Sequence, residues 1–341
     1  MVAELAERAT HAAQAWAEGA QVSGIRPLTG GASSLTFVAQ VSGVPEDLTE
    51  VVLKVAPPGL PPVRNRDVLR QGRVMRALYG QPGVAVPPVR FEDPGEPPDV
   101  PPFVAMGMVP GVCVEPILAD ERDPAGEPEV RARYLDAVRV LAAMHSLEPA
   151  KLGLPDEPVS LTAEIDRWTQ AYSTAPPDLQ GEYERCASAL HATVPASLRP
   201  VVNHGDYRLG NTLCQESRVT AVIDWEIWSV GDPRVDVTWL TFFTDEAHHP
   251  GAPTQTPAGT PTIEELLKAY ADAGGPDLPH LPWFEALTRY KEAAATALLI
   301  KRGRKAGHLE PTIERMVSAL PKLLEEAEHL LEGGTVTTRA I

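Results

Sequence analysis

Asp206 is followed five residues later by Asn211 and, thirteen residues after that, by Asp224. The first two stand in His204-Gly205-Asp206-Tyr207-Arg208-Leu209-Gly210-Asn211; the third ends an apolar run in Val222-Ile223-Asp224-Trp225-Glu226. These residue types in this order suit phosphoryl transfer. A carboxylate orients an acceptor hydroxyl and takes its proton, while an asparagine five positions on and a second carboxylate on the next hairpin hold Mg²⁺. Few protein oxygens are needed, because Mg²⁺ keeps phosphate and water as its other ligands. The expectation is Asp206 as base and Asn211 and Asp224 on metal.

Such a reaction also needs positive charge on the phosphates. Lys54 lies in Val51-Val52-Leu53-Lys54-Val55, an apolar strand in which a lone lysine is costly to bury without an anion. Nucleotide phosphate is the natural anion; an edge-strand lysine facing solvent is the alternative. Gly30-Gly31-Ala32-Ser33-Ser34 separates the first two predicted strands, and small residues there let backbone amides approach phosphate oxygens. Gly31, Ser33 and Ser34 are the candidates, although a plain hairpin turn uses the same residues. The chain lacks a G-x-G-x-x-G loop, a Gly-Lys P-loop, a G-x-S-x-G elbow and an H-E-x-x-H helix.

The elements that must carry these groups fall into two stretches. From Val22 to Met108 the pattern is β, with strands expected at Ile25–Leu28, Leu35–Val41, Val51–Val55, Val86–Phe91 and Phe103–Met108. One helix, Arg64–Tyr79, interrupts them, and Glu92–Pro102 reads as an irregular Pro-rich connection. Met1–Ala20 reads as an amphipathic surface helix. Beyond Pro110, helices are expected at Glu129–Leu147, Leu161–Tyr172, Gly181–Ala192, Thr262–Ala273, Leu281–Arg302 and Pro311–Leu331. Only 201–236, read as loops and short strands, interrupts them. Residues 245–261 read as a flexible loop on the substrate side, with His248 and His249 solvated.

Length and composition bound the answer. The 341 residues suffice for about two domains and a cleft between them. A net charge of −16 argues against a nucleic-acid surface, which needs clustered Lys and Arg. No run of about 18 apolar residues occurs, so neither a membrane span nor a leader is expected and a cytoplasmic location is. Cys113, Cys186 and Cys214 have no metal or redox spacing and are expected as reduced, buried thiols.

HGDYRLGN, AVIDWE, Gly231-Asp232-Pro233 and Asp236-Val237-Thr238-Trp239-Leu240 together resemble the aminoglycoside phosphotransferase and choline kinase-like superfamily. The branch associated with acyl-CoA dehydrogenases is the nearest in pattern. Gly30–Phe37 resembles the family's small-lobe turn and Phe103–Gly111 its hinge, so nearly the whole chain is covered. The resemblance implies an α+β, two-lobed, protein-kinase-like fold: a small antiparallel-sheet N-lobe with one main helix, residues 1–108, and a larger, mostly helical C-lobe, 109–341. It also implies ATP in the cleft, with adenine on the hinge at Val104, Met106 and Met108.

Three positions depart from the family pattern. Gln71 stands where a glutamate usually pairs the lysine, Ser34 where asparagine is common, and Gly107 at a hinge position often acidic. Arg208 and Glu226 either meet substrate or γ-phosphate or pair with each other; Asp232 and Asp236 brace the catalytic loop, as His204 shapes it. Tyr207, Trp225 and His145 are expected as packing. The function these features imply is ATP- and Mg²⁺-dependent transfer of the γ-phosphoryl group to a hydroxyl of a small molecule, aminoglycoside-like or another antibiotic or natural product. A hydroxyacyl-CoA acceptor is an alternative, with Lys301-Arg302-Gly303-Arg304-Lys305 as the local basic run for its phosphates. A non-catalytic nucleotide-binding module is another.

Overall fold

The computed structural model describes residues 2–28, 34–119, 126–253, 258–309 and 311–334. Five strands, β1 (Gln21–Pro27), β2 (Leu35–Ser42), β3 (Glu50–Val55), β4 (Val89–Asp93) and β5 (Phe103–Gly107), form one antiparallel sheet in the order β1-β2-β3-β5-β4. The apolar run that carries Lys54 is thus the central strand, not an edge. Lys54 pairs across to Thr36 on one side and Val104 on the other. Helix α1 (Val2–Trp16) covers the outer face, burying Leu5, Ala9 and Ala13 against Phe37, Leu53 and Phe103. The irregular connection begins later than its composition suggests, because Glu92 and Asp93 still pair with Val104 and Phe103.

Helix α2 (Val68–Leu78) is shorter at its start than the apolar stripe predicts. Arg64–Arg66 forms a separate 3₁₀ turn, and the Asp67 carboxylate then accepts the Arg70 amide at 2.9 Å, capping a new helix. Arg70 ties α2 to the larger lobe. Its guanidinium lies 3.9 Å over the Trp228 ring, donates to the Trp228 carbonyl at 3.0 Å and pairs with Asp156 at 3.0 Å.

The rest of the described chain is mostly helical: α3 (Glu127–Ser146), α4 (Leu161–Tyr172), α5 (Tyr183–Ala192), α6 (Arg234–Phe242), α7 (Ile263–Asp272), α8 (Leu281–Ala306), α9 (Pro311–Met316) and α10 (Leu320–Leu331). The final expected helix is broken by a 3₁₀ turn at Val317–Ala319. The sequence pattern missed α6. Every α6 residue but Val235 is buried, so no polar face marks its period. Two small antiparallel pairs lie between the helices: β6 (Val201–Asn203) with β9 (Ser229–Gly231), and β7 (Thr212–Gln215) with β8 (Arg218–Val222). Among the described residues no helix is long and apolar enough to cross a membrane.

Candidate functional site

β6 ends at Asn203 and releases the chain into the loop that carries Asp206. The loop turns at Gly205, where φ is +86° and a Cβ would lie 2.6 Å from the Ile227 carbonyl oxygen. Only glycine fits there. Asp236, in the first turn of α6, accepts the His204 amide at 2.5 Å and the Gly205 amide at 2.8 Å. His204 spends both ring nitrogens on backbone: Nδ1 accepts the Asp206 amide at 3.2 Å, so Nε2 donates to the Ile223 carbonyl at 2.8 Å. From α8, the Lys291 ammonium donates to the Gly205 carbonyl and sits 3.7 Å over the Trp239 ring. Burial pushes its pKa down, against the opposing pull of Glu164 and Asp206.

These contacts leave the Asp206 carboxylate partly used. Oδ1 accepts Trp239 Nε1 at 2.6 Å and Arg208 Nε at 3.2 Å, while among the described residues Oδ2 accepts only Asn211 Nδ2, at 2.7 Å. With about two lone pairs per carboxylate oxygen, Oδ1 is saturated and Oδ2 retains one acceptor position. Asn211 gives its second amide hydrogen to the Asp206 carbonyl at 2.9 Å, which leaves its side-chain carbonyl oxygen as the group available to a cation.

Asp224 follows β8 in a left-handed conformation, φ 64° and ψ 54°, a strained backbone for a non-glycine residue. There its Oδ1 meets Lys54 Nζ at 2.6 Å, a contact between residues 170 apart in sequence. Burial pushes the Asp224 carboxyl up, but the Lys54 ammonium and hydrogen bond, helped by His204 and Arg208, outweigh it and hold the pKa below the ordinary aspartate value. One Asp224 oxygen thus holds Lys54; the other, with the Asn211 carbonyl, makes a two-oxygen donor set of the kind Mg²⁺ takes beside phosphate. Among the described residues no group of three or more His, Cys, Asp or Glu forms a metal cluster.

The other predicted residues divide. Gln71 is buried but donates to the Asn65 carbonyl at 3.1 Å, so the ionic partner of Lys54 is Asp224 and not the small-lobe helix. Asp232 is buried in a two-pronged pair with Arg234, at 2.9 and 2.7 Å, and accepts the Leu198 amide, so it is sealed beneath the loop. Arg208 pairs with Asp206 and Glu115, and Glu226 is half-buried in the turn after Asp224. Val104 is fully buried, Met106 nearly so, and Met108 is exposed at the strand end. Ser34 is buried with its hydroxyl unpartnered among the described residues; Gly31 and Ser33 lie outside them.

Two expectations on the substrate side fail. His249 is not solvated: it is buried between Phe242 and Phe243, at centroid distances of 4.8 and 4.7 Å, and burial together with the Arg208 charge pushes its pKa down to about 3. His248 binds Asp245 at 2.6 Å. Cys113, expected buried, is exposed, whereas Cys186 and Cys214 are buried.

Sequence reasoning also missed Glu115, Lys291 and Glu292. Burial lifts the Glu292 carboxyl to about 7, with Asp206 adding to the shift and a Thr296 hydrogen bond at 3.1 Å opposing it. Lys291-Glu292, charged within an otherwise apolar stretch of α8, was a readable signal, since buried charge needs a partner. Glu115 carried none, lying in an irregular segment.

The curated relatives include mouse acyl-CoA dehydrogenase family member 10, 29% identical over 268 residues, covering 74% of this chain and 24% of that protein. Human acyl-CoA dehydrogenase family member 11 is 27% identical over 277 residues, covering 77% of this chain and 34% of the relative. The chain thus spans about a quarter to a third of those proteins.

Among solved structures, a Ralstonia eutropha protein assigned by name to the aminoglycoside phosphotransferases superposes with a TM-score of 0.73 at 22% identity, covering 98% of this chain and 99% of that one. Aminoglycoside phosphotransferase APH(4)-Ia, in a ternary complex with ADP and hygromycin B, gives 0.56 at 16% identity, covering 93% and 96%. The fold is therefore the kinase-like one of the aminoglycoside phosphotransferases, with a small antiparallel-sheet lobe and a helical lobe. The model described as "Phosphotransferase enzyme family" matches residues 24–287, well over half of the chain and including the Asp206 loop, so the chain belongs to this family.

Proposed function

We propose that the protein is an ATP- and Mg²⁺-dependent phosphotransferase that moves the γ-phosphoryl group to a hydroxyl of a small molecule, with residues 1–108 and 109–341 as the lobes of the cleft. The observation that carries this reading is the single acceptor position left on Asp206 Oδ2, beside an Asn211 carbonyl and an Asp224 carboxylate already gripped by Lys54. Asp206 Oδ2 receives the proton of the acceptor hydroxyl as that oxygen bonds to the γ-phosphorus. The bond from γ-phosphorus to the bridging oxygen breaks with its electron pair, and ADP leaves. Asn211 and Asp224 would hold Mg²⁺, which when bound would neutralise phosphate charge, and Lys54 would bind the phosphates. Adenine would lie against the chain that leaves β5 at Met108, since Val104 and Met106 are paired to both β3 and β4 within the sheet, and the segment with Gly31, Ser33 and Ser34 would cover the phosphates. Asp232 and Gln71 support the loop and the small lobe without touching substrate, while Glu226 borders the metal residue.

The acceptor is a small-molecule hydroxyl, aminoglycoside-like or another antibiotic or natural product. The resemblance to acyl-CoA dehydrogenase-named relatives supports a hydroxyacyl-CoA as the second candidate. The basic run offered for CoA phosphates is partly engaged, with Lys301 donating to the Thr174 carbonyl at 2.5 Å and Arg304 paired to Asp178 at 2.8 Å. ATP consumption screened over aminoglycosides, macrolides, hydroxyacyl-CoAs and amino alcohols identifies the acceptor. Asp206→Asn is expected to keep nucleotide binding while transfer falls about 10²–10⁴-fold. Turnover of that variant at the wild-type rate would sink the assignment.

A further inference from the structure

Glu115 lies between the β5 strand and α3, in the segment that joins the sheet to the helical lobe, and it binds the catalytic loop from outside. Its Oε2 accepts the Gly210 amide at 2.9 Å and Arg208 Nη1 at 3.3 Å. Its Oε1 lies 3.0 Å from the Tyr134 hydroxyl oxygen, and that same hydroxyl lies 2.8 Å from the Phe243 carbonyl oxygen. A phenol has one proton, and a peptide carbonyl can only accept. If the Tyr134 proton goes to the shorter contact, with Phe243, then the 3.0 Å contact to Glu115 needs a proton on the carboxyl.

From this proton count we propose that Glu115 is a neutral carboxylic acid and a positioning residue, clasping Arg208 and the Gly210 amide while leaving the Arg208 charge for the transferred phosphoryl group. This rests on the phosphotransferase reading above. An ionised Glu115 would place Arg208 between two carboxylates; a neutral one leaves Asp206 as its single ionic partner. Arg208 bonds Asp206 through Nε and Glu115 through Nη1, and its Nη2 has no partner among the described residues. The side chain is a quarter exposed, so this remaining edge reaches solvent. The clasp is close: a Cβ at Gly210 would overlap Arg208 Nη1 and stand 3.1 Å from Glu115 Oε2.

The surroundings agree. Burial pushes the Glu115 carboxyl up against the lowering effects of Arg208, the Gly210 amide and Tyr134. Burial likewise raises the Tyr134 phenol well above its ordinary value, so the phenol keeps its proton. Among the described residues, the charged and titratable groups around the clasp include Arg208 and Asp206 on the catalytic loop, Asp224 after β8, Tyr134 on α3, Glu246 and His249 beyond α6, Glu292 on α8 and Cys113 on Glu115's own segment.

Glutamine reproduces every one of these bonds. Its carbonyl accepts from Gly210 and Arg208, and its amide donates to the Tyr134 oxygen. The test compares wild type, Glu115→Gln and Glu115→Ala in single-turnover hydrolysis of Mg·ATP, with water standing in for the acceptor, alongside nucleotide affinity and thermal unfolding. Glu115→Gln is expected near the wild-type rate, whereas Glu115→Ala loses about 10–100-fold in rate with little change in nucleotide affinity. The infrared difference spectrum of wild type minus Glu115→Gln at neutral pH is expected to show the C=O stretch of a protonated carboxyl. A carboxylate band instead, a Gln variant as slow as the Ala variant, or an Ala variant at full rate each overturns the proposal. If Glu115→Ala does not fold, the Gln rate and the infrared band decide. If the wild type hydrolyses no Mg·ATP under any acceptor condition, the phosphotransferase reading fails separately, and the band still decides the proton on Glu115.

Discussion

Asp224 and Asp236 are twelve residues apart, and both carboxyls are held below the ordinary aspartate range, yet they stand on opposite sides of the catalytic loop. Burial pushes each upward. For Asp224 the Lys54 ammonium, brought from the other lobe, overcomes that push, and 38% of the side chain stays exposed to the cleft. For Asp236 the opposing groups are His145, His204 and Lys291; its side chain has no exposure, and both oxygens are taken by the His204 and Gly205 amides. His145 Nε2 lies 3.8 Å from Asp236, an ionic distance and too long for a hydrogen bond. Similar electrostatics thus arise from two designs. Oxygens that each hold a loop amide and are sealed from solvent brace the loop, and an oxygen left exposed can take part in chemistry.

The largest effect expected from this contrast is at Asp236→Ala, which strips two buried amides of their acceptor. Denaturant unfolding is expected to show a loss of about 3–5 kcal/mol, with turnover falling alongside because the loop loses its shape. A change below 1 kcal/mol would mean that Asp236 is no brace. Asp224→Ala should separate the two quantities. Transfer is expected to fall by at least about 10²-fold, with a smaller loss of stability than at Asp236, since over a third of the Asp224 side chain is exposed and solvent weakens its pair with Lys54. A large loss of stability with preserved Mg²⁺-dependent turnover would reverse the assignment of the two aspartates.

Glu292 sharpens the comparison through pH, because its shift has the opposite sign. A carboxyl raised to about 7 in the folded state favours folding fully below its unfolded value near 4.5, and that contribution is lost as pH rises through 7. For Asp224 and Asp236 the contribution is present above the unfolded aspartate value and is lost as pH falls through their lowered folded values. Glu292→Gln is therefore expected to gain stability relative to wild type between pH 6 and 8, by about 3 kcal/mol at most, followed as the difference in melting temperature. A difference that does not vary with pH would place the Glu292 titration elsewhere. The smallest effect is expected at Gln71→Glu, which removes the donor to the Asn65 carbonyl and costs about 1–2 kcal/mol by the same unfolding assay.

Much of the donor side was readable from residue order. Asp206, Asn211, Asp224 and Lys54 are named from spacing and from a charge in an apolar strand, and the structure pairs Asn211 with Asp206 and Lys54 with Asp224. Most helices were found because one face is apolar. Helix α6 was not, since a helix buried on nearly all sides has the periodicity of neither a surface helix nor a strand. Its loss concealed the position of Trp239, which donates to Asp206. The pairing of Lys54 was misjudged for a different reason: the family pattern pointed to position 71, but a salt bridge is a matter of distance, and Asp224 is the nearer acid. His249 was misread because the polar composition of its loop gives no hint that Phe242 and Phe243 close over the ring.

The order of residues by itself determined that Asp206 and Asn211 would meet, because the five-residue gap between them lies within one short loop and needs little else to bring the two together. Tertiary structure decided everything that depends on distance between remote segments: that Lys54 meets Asp224 across 170 residues, that Glu115 reaches the loop from the segment after β5, and that Lys291 lies beneath Gly205. It also decided the direction in which each buried carboxyl is shifted. Protonation follows burial and neighbouring charge, and neither is a local property of the chain.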